Sequence, residues 1–137
     1  MRQREEIIKA WLDMWLGQEL LPLEAVFTPD VHYYEFQGRE YEGIDQIRRW
    51  FETWNSENRV VKWEVGRFVH DQDLTLVPFY FQNVNKEGEK REYEGVYLVE
   101  WDGDHRIQKL QEFYCKLPHY KPCLLYTSPS PRDKRQS

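Results

Sequence analysis

The chain has 137 residues, enough for one domain with a substantial core, and 16% of them are aromatic, so burial leans on Trp, Tyr and Phe. Charged residues make up 31% and are interspersed with apolar ones, which excludes a disordered body. The net charge of −5 repels phosphate backbones and counts against nucleic acid, and no apolar run approaches the ~18–20 residues a membrane span needs.

The N-terminus, MRQREEIIKAW, places two glutamates where an export signal would begin its apolar region, so a cytoplasmic protein is expected. Residues 3–17 read as an amphipathic helix, with Ile7, Ile8, Trp11, Leu12, Trp15 and Leu16 on one broad stripe and Gly17 as its cap. A short second helix is expected next, with Leu20, Leu23, Val26 and Phe27 on one side, closed by Pro29 and Asp30. Residues 31–36 read as a short strand and Gly38 as a turn. A third helix over residues 44–55 carries Ile44, Ile47, Phe51 and Trp54 on one face.

After Asn58 the apolar period changes from helical spacing to alternation. Four long strands are predicted over residues 60–70, 74–84, 89–101 and 106–116, joined by turns rich in Asp, Asn and Gly. Helices first and hairpins after predict an α+β fold, three N-terminal helices packed on a curved antiparallel sheet that forms a cone with an apolar pocket. Pro78 inside the second long strand predicts an edge or a bulge. Several strands are apolar on both sides, Val61 and Trp63 against Val60, for example, so a second copy is expected to cover the outer face as a homodimer. Extra aromatic surface on a monomer is the plainer reading of the same pattern.

From Cys123 the composition shifts to CLLYTSPSPRDKRQS, which reads as a disordered tail. CLLYTSPSPRD resembles the conceptual translation of a sequencing-library adaptor. The expectation is a single domain over residues 1–122 and an artefactual tail over 123–137, in which Cys123, Ser128, Ser130 and Ser137 carry no chemistry. Arg132, Lys134 and Arg135 stand against Asp133 there, so the body is more acidic than the whole chain.

WLDMWLGQELLPLEAVF leading into TPDVHYYEF, then YEGIDQIRRWF, and DGDHRIQKLQEFY at the end resemble the nuclear transport factor 2-like superfamily. Within it the chain is most similar to SnoaL-like and ketosteroid-isomerase-like proteins, over residue 3 to about residue 117. The resemblance implies a proton-shuttling carboxylate at Glu35 on the first strand. The family's oxyanion-binding tyrosine falls near Trp11, and its second acidic donor falls near Tyr97, whose hydroxyl would serve instead. In cyclase-like members a late-strand acid matters, and Glu112 is the nearest. Two of the three isomerase positions differ, which argues against steroid isomerisation itself.

The candidate catalytic residues are therefore Glu35, Tyr97 and Glu112, with Trp11, Trp15, Tyr33, Leu110 and Tyr114 as ligand-binding walls. Strand alternation puts Tyr33 with Glu35, and Leu110 with Glu112 and Tyr114. A carboxylate among aromatics is desolvated, rises in pKa and can take a proton from carbon beside a carbonyl, while a tyrosine hydroxyl steadies the enolate. Each residue also has a plainer reading: Glu35 as a solvated strand end, Glu112 paired with Lys109 or Arg106, Trp11 and Trp15 as core, Tyr97 as a core or dimer-face residue.

His32, His70, His105 and His119 lack metal-ligand spacing, so no metal is expected, and no cofactor either. Cys115 reads as a buried structural thiol. The expected function is binding of a small apolar or amphipathic ligand, with cofactor-independent isomerase, cyclase or lyase chemistry as the catalytic form. The rival is a non-catalytic interaction or dimerisation module whose cone is plugged by its own aromatics.

Overall fold

The computed structural model describes residues 2–123; the expectations for the tail beyond Cys123 lie outside the described residues. Two helices, α1 (Arg2–Gly17) and α2 (Ile44–Glu57), pack on one face of a seven-stranded sheet. The strands are β1 (Phe27–Tyr34), β2 (Glu40–Glu42), β3 (Asn58–Val65), β4 (Val69–Asp71), β5 (Leu74–Asn85), β6 (Lys90–Trp101) and β7 (Ile107–Lys116). They run β2-β1-β7-β6-β5-β3 across the sheet, with β4 also on β5. This is the expected α+β cone. No helix among the described residues is long and apolar enough to cross a membrane.

Helix α1 buries Ile8, Trp11, Leu12 and Trp15 of the expected stripe together with Met14, while Ile7 is half-buried and Leu16, expected on that stripe, is exposed. Helix α2 buries Ile47 and Phe51 and half-buries Trp50 and Trp54. The long strands alternate. Val77 and Phe79 of β5, Tyr97, Val99 and Trp101 of β6, and Leu110 and Glu112 of β7 all point inward.

The sheet departs from an antiparallel meander at one seam: β1 pairs with β7 in parallel, Tyr33 opposite Leu110. The chain reaches that seam through the segment expected to be a second helix. Only Leu23–Ala25 winds there, as a single 3-10 turn after Pro22. Strand pairing captures the rest, because Ile107 donates its N–H to the Val26 carbonyl at 2.7 Å and Phe27 opens β1. Thr28-Pro29-Asp30 is thus an irregularity within the strand, between Phe27 and His32, and no helix stop.

The strand expected over residues 60–70 is broken into β3 and β4, and Pro78 explains the break. The Pro78 carbonyl accepts from Gly66 N–H at 2.8 Å, so its main-chain groups face β3 and β4, and a proline nitrogen has nothing to donate there. The interruption therefore falls on the neighbouring strand, where Gly66 lies against the proline ring. Gly95 has a different reason to be glycine. A Cβ there would lie 2.0 Å from the Phe113 carbonyl oxygen, so its absence lets β6 close on β7 beside Tyr114.

One end of the cone is closed by polar bonds that hold α1. Arg4 donates to the Gln72 carbonyl at 2.6 Å and to His105 Nδ1 at 3.1 Å. Trp101 can only donate, so Thr75 Oγ1 accepts from its Nε1 at 2.8 Å, and the same hydroxyl is hydrogen-bonded to His70 Nδ1 at 2.8 Å. His70 then donates from Nε2 to Glu5 at 3.0 Å. Cys115 corrects the sequence reading: alternation along β7 turns it away from the side that carries Tyr114, and it is exposed.

Candidate active site

The other end of the cone holds a cavity of about 190 Å³. Trp15 enters from α1, Trp50 and Trp54 from α2, and Asn58 and Trp63 from β3. Strand β5 adds Phe79, Phe81 and Asn83; β6 adds Arg91, Tyr93 and Tyr97; β7 adds Glu112 and Tyr114. The turn between β1 and β2 brings Glu35, Gln37 and Arg39.

The rings form a continuous belt. Trp15 meets Trp63 at 6.1 Å between centroids, Trp63 meets Phe81 at 4.9 Å, and Phe81 meets Tyr93 at 6.1 Å. Tyr93 meets Tyr114 at 4.9 Å, Tyr114 meets Phe79 at 6.2 Å, and Phe79 stacks on Tyr97 at 4.1 Å. Tyr97 returns to Trp63 at 6.2 Å. Such contacts stabilise the wall beyond simple area burial.

Two carboxylates interrupt this belt, and their surroundings differ. Glu112 is 8% exposed, and the Tyr33 hydroxyl donates to its Oε2 at 2.7 Å. Burial pushes its pKa up to about 8; the Tyr33 bond opposes that rise and the charge of Glu35 adds to it. Glu35 has a side chain 13% exposed, with Tyr41 donating to its Oε1 at 3.1 Å and Arg39 Nη1 3.9 Å from the same oxygen. Burial raises its pKa too, but Tyr41 and Arg39 both hold it down. Near neutral pH burial favours a protonated Glu112, whereas Tyr41 and Arg39 beside Glu35 favour its charged form.

Glu35 stands one residue past β1, at the head of a tight turn in which its own N–H donates to the Arg39 carbonyl at 2.8 Å. Gly38, at φ +99°, makes that turn possible. Tyr114 donates to Gln37 Oε1 at 3.2 Å, and Phe36 packs on the Tyr114 ring at 4.6 Å, so the turn is tied to β7. Tyr41 stacks flat on Trp50 at 4.4 Å, which fixes the hydroxyl that meets Glu35. Burial pushes the Tyr41 hydroxyl up to about 12, so it stays a donor.

Of the residues singled out in the sequence, the cavity wall brings together Glu35, Tyr97, Glu112, Tyr114 and Trp15. Trp11, Tyr33 and Leu110 lie behind it. Trp11 packs on Trp15, Phe27 and Tyr33, and Tyr33 reaches the site only through its bond to Glu112. Burial pushes the Tyr33 and Tyr97 hydroxyls well above the usual tyrosine range; the indole N–H groups of Trp11 and Trp63 oppose that rise, yet neither closes a hydrogen bond. Sequence reading missed Trp50, Trp54, Trp63, Phe79, Phe81, Tyr93 and the two arginines as wall residues. The signal was present, since Trp50 and Trp54 share the α2 stripe and Phe79 and Phe81 alternate along β5.

The aromatics fill much of the cone without plugging it. The space is slightly larger than the ~150 Å³ cavity known to accept benzene, so it is large enough for a one-ring molecule.

A family model described as SnoaL-like domain matches residues 8–110. No curated relative matches. Among solved structures, an LEH-like epoxide hydrolase from M. tuberculosis aligns with a TM-score of 0.72 at 12% identity, over 83% of this chain and 84% of that one. A hypothetical protein with a ketosteroid isomerase-like fold from Catenulispora acidiphila, in complex with trimethylamine, aligns with a TM-score of 0.69 at 20% identity, over 80% and 85%. A nuclear transport factor 2-like protein of unknown function from Burkholderia pseudomallei aligns with a TM-score of 0.69 at 11% identity, over 84% and 92%. At these identities the likeness shows the fold alone.

Proposed function

The chain belongs to the SnoaL-like domain family, within the nuclear transport factor 2-like superfamily, and from that premise we propose that its cavity binds a small molecule and performs cofactor-independent acid–base chemistry on it. The observation that carries this reading is the pair of carboxylates with unlike environments on one aromatic wall. Glu35, whose charged form Tyr41 and Arg39 favour, takes a proton from carbon beside a carbonyl. Glu112, kept protonated by burial, donates to the developing enolate oxygen, with the Tyr97 hydroxyl as a second donor. Returning the proton from Glu35 to a different carbon makes the reaction an isomerisation. Trimethylamine, the molecule in the Catenulispora acidiphila protein, is of the scale this cavity admits.

The test is proton exchange. A panel of one-ring unsaturated ketones is incubated with the full chain in heavy water, and deuterium at the carbon beside the carbonyl is followed by NMR. Glu35→Gln is expected to slow exchange by about 100-fold or more while ligand binding persists. Exchange no faster than in buffer, with the ketone bound, would overturn the reading.

The outer face of the sheet supports a second proposal, that two copies pair there. Register places Leu76 beside Leu98, and Pro78 beside Val96 and Phe113, on the side away from the helices, and Phe113 is 51% exposed. An apolar stripe along the sheet is what a second copy of the same stripe would cover.

A further inference from the structure

We propose that the cavity selects a small organic cation, a methylated ammonium group, by surrounding it with aromatic side chains and the carboxylate of Glu35. The proposal rests on the cavity being the working site and names the chemistry of what enters it.

The belt of Trp63, Phe81, Tyr93, Tyr114, Phe79 and Tyr97 lines a space of about 190 Å³ with aromatic π systems. A neutral apolar ligand would need only the rings. The Glu35 carboxylate, with a side chain 13% exposed, carries a desolvation cost that such a ligand never offsets, whereas a cation offsets it directly. Among the described residues, the protein's own cations do not lie over the rings of the cavity. Those lying over ring faces are Arg4 on Trp101, Lys9 on Phe68, Lys62 on Tyr80 and Lys109 on Tyr34, and none of these rings lines the cavity.

The two arginines on the wall do not oppose this. Arg39 has a side chain 72% exposed and turns toward Glu35 at 3.9 Å, and Arg91 reaches Glu89 at 3.6 Å. Both charges are engaged by carboxylates and face water. Glu112 and Tyr97 are buried, so the ring-lined end is the deeper one. A trimethylammonium group has weak hydration and no N–H to satisfy, which suits a wall whose indoles and rings accept no conventional hydrogen bond.

The experiment compares two probes of one shape. Choline chloride and the alcohol in which a tert-butyl group replaces the trimethylammonium are titrated against the full chain by calorimetry. Choline is expected to bind one per chain and at least about tenfold tighter than its neutral counterpart. Trp63→Leu is expected to erase most of that preference; Tyr93→Leu, at a half-buried position, repeats the test should the first variant fail to fold. Equal or tighter binding of the neutral alcohol, or no binding of choline, would overturn the proposal. Neither result touches the proton-exchange reading, which asks only for a small carbonyl compound, and failed exchange would leave choline binding intact.

Discussion

The Tyr33 hydroxyl and the Glu112 carboxylate meet at 2.7 Å across the parallel seam of β1 and β7. Tyr33 does not touch the cavity; it positions the acid that does. Replacing it with Phe removes the contact that favours the charged form of Glu112, so the carboxyl pKa should rise beyond about 8. Carboxyl-labelled NMR titration reads this directly, and an unchanged midpoint would contradict it. The loss of the buried bond should also cost about 1–2 kcal/mol of stability.

The burial of Glu112 makes stability depend on pH in a stated direction. Its folded pKa of about 8 lies above the ~4.3 of an unfolded glutamate. Between these values the folded chain holds a proton that the unfolded chain has released. Stability should therefore be greatest below the lower value, fall as pH rises through the window, and level off above the upper one. Glu112→Gln should flatten this slope and exceed the wild type in urea midpoint at about pH 9. A slope that survives the substitution would place its cause elsewhere.

Two tryptophans on the same pocket end of the molecule should behave differently. Trp11 is 1% exposed and packs against Phe27 at 4.8 Å, so Trp11→Ala should cost about 3–5 kcal/mol with little selective effect on a bound ligand. Trp54 is half-buried and faces the cavity, so Trp54→Ala should cost roughly 1–2 kcal/mol and weaken ligand binding. Paired denaturation and titration of the two variants separate core from wall.

Light scattering after size exclusion tests the outer stripe. The wild type should run as a dimer and Phe113→Asp as a folded monomer, because a charge at the stripe has no partner when two copies meet. A wild-type monomer would refute the pairing.

Much of the fold was legible because it rests on short-range pattern. The Trp11, Trp15 and Ile8 stripe sets α1, and the alternation of Val77, Phe79 and Phe81 sets β5. The segment from Leu20 to Phe27 misled, since four apolar residues at helical spacing serve a turn and a strand equally well. Only the carbonyl of Val26, claimed by the distant Ile107 N–H, decides between them. The break opposite Pro78 was likewise invisible along the sequence, because the missing donor acts on a neighbouring strand.

The site divides the same way. Sequence by itself determined the chemical inventory: an acid in an aromatic strand, a second acid near the end, tryptophans on two helices, no nucleophile motif and an acidic body. Tertiary structure alone decided that Glu35 and Glu112, 77 positions apart, share one wall, that Trp11 stands behind it while Trp54 faces it, and that only about 190 Å³ stays open. The physical reason is that periodicity fixes which side of an element is apolar, whereas desolvation, charge coupling and cavity size depend on which elements close over one another.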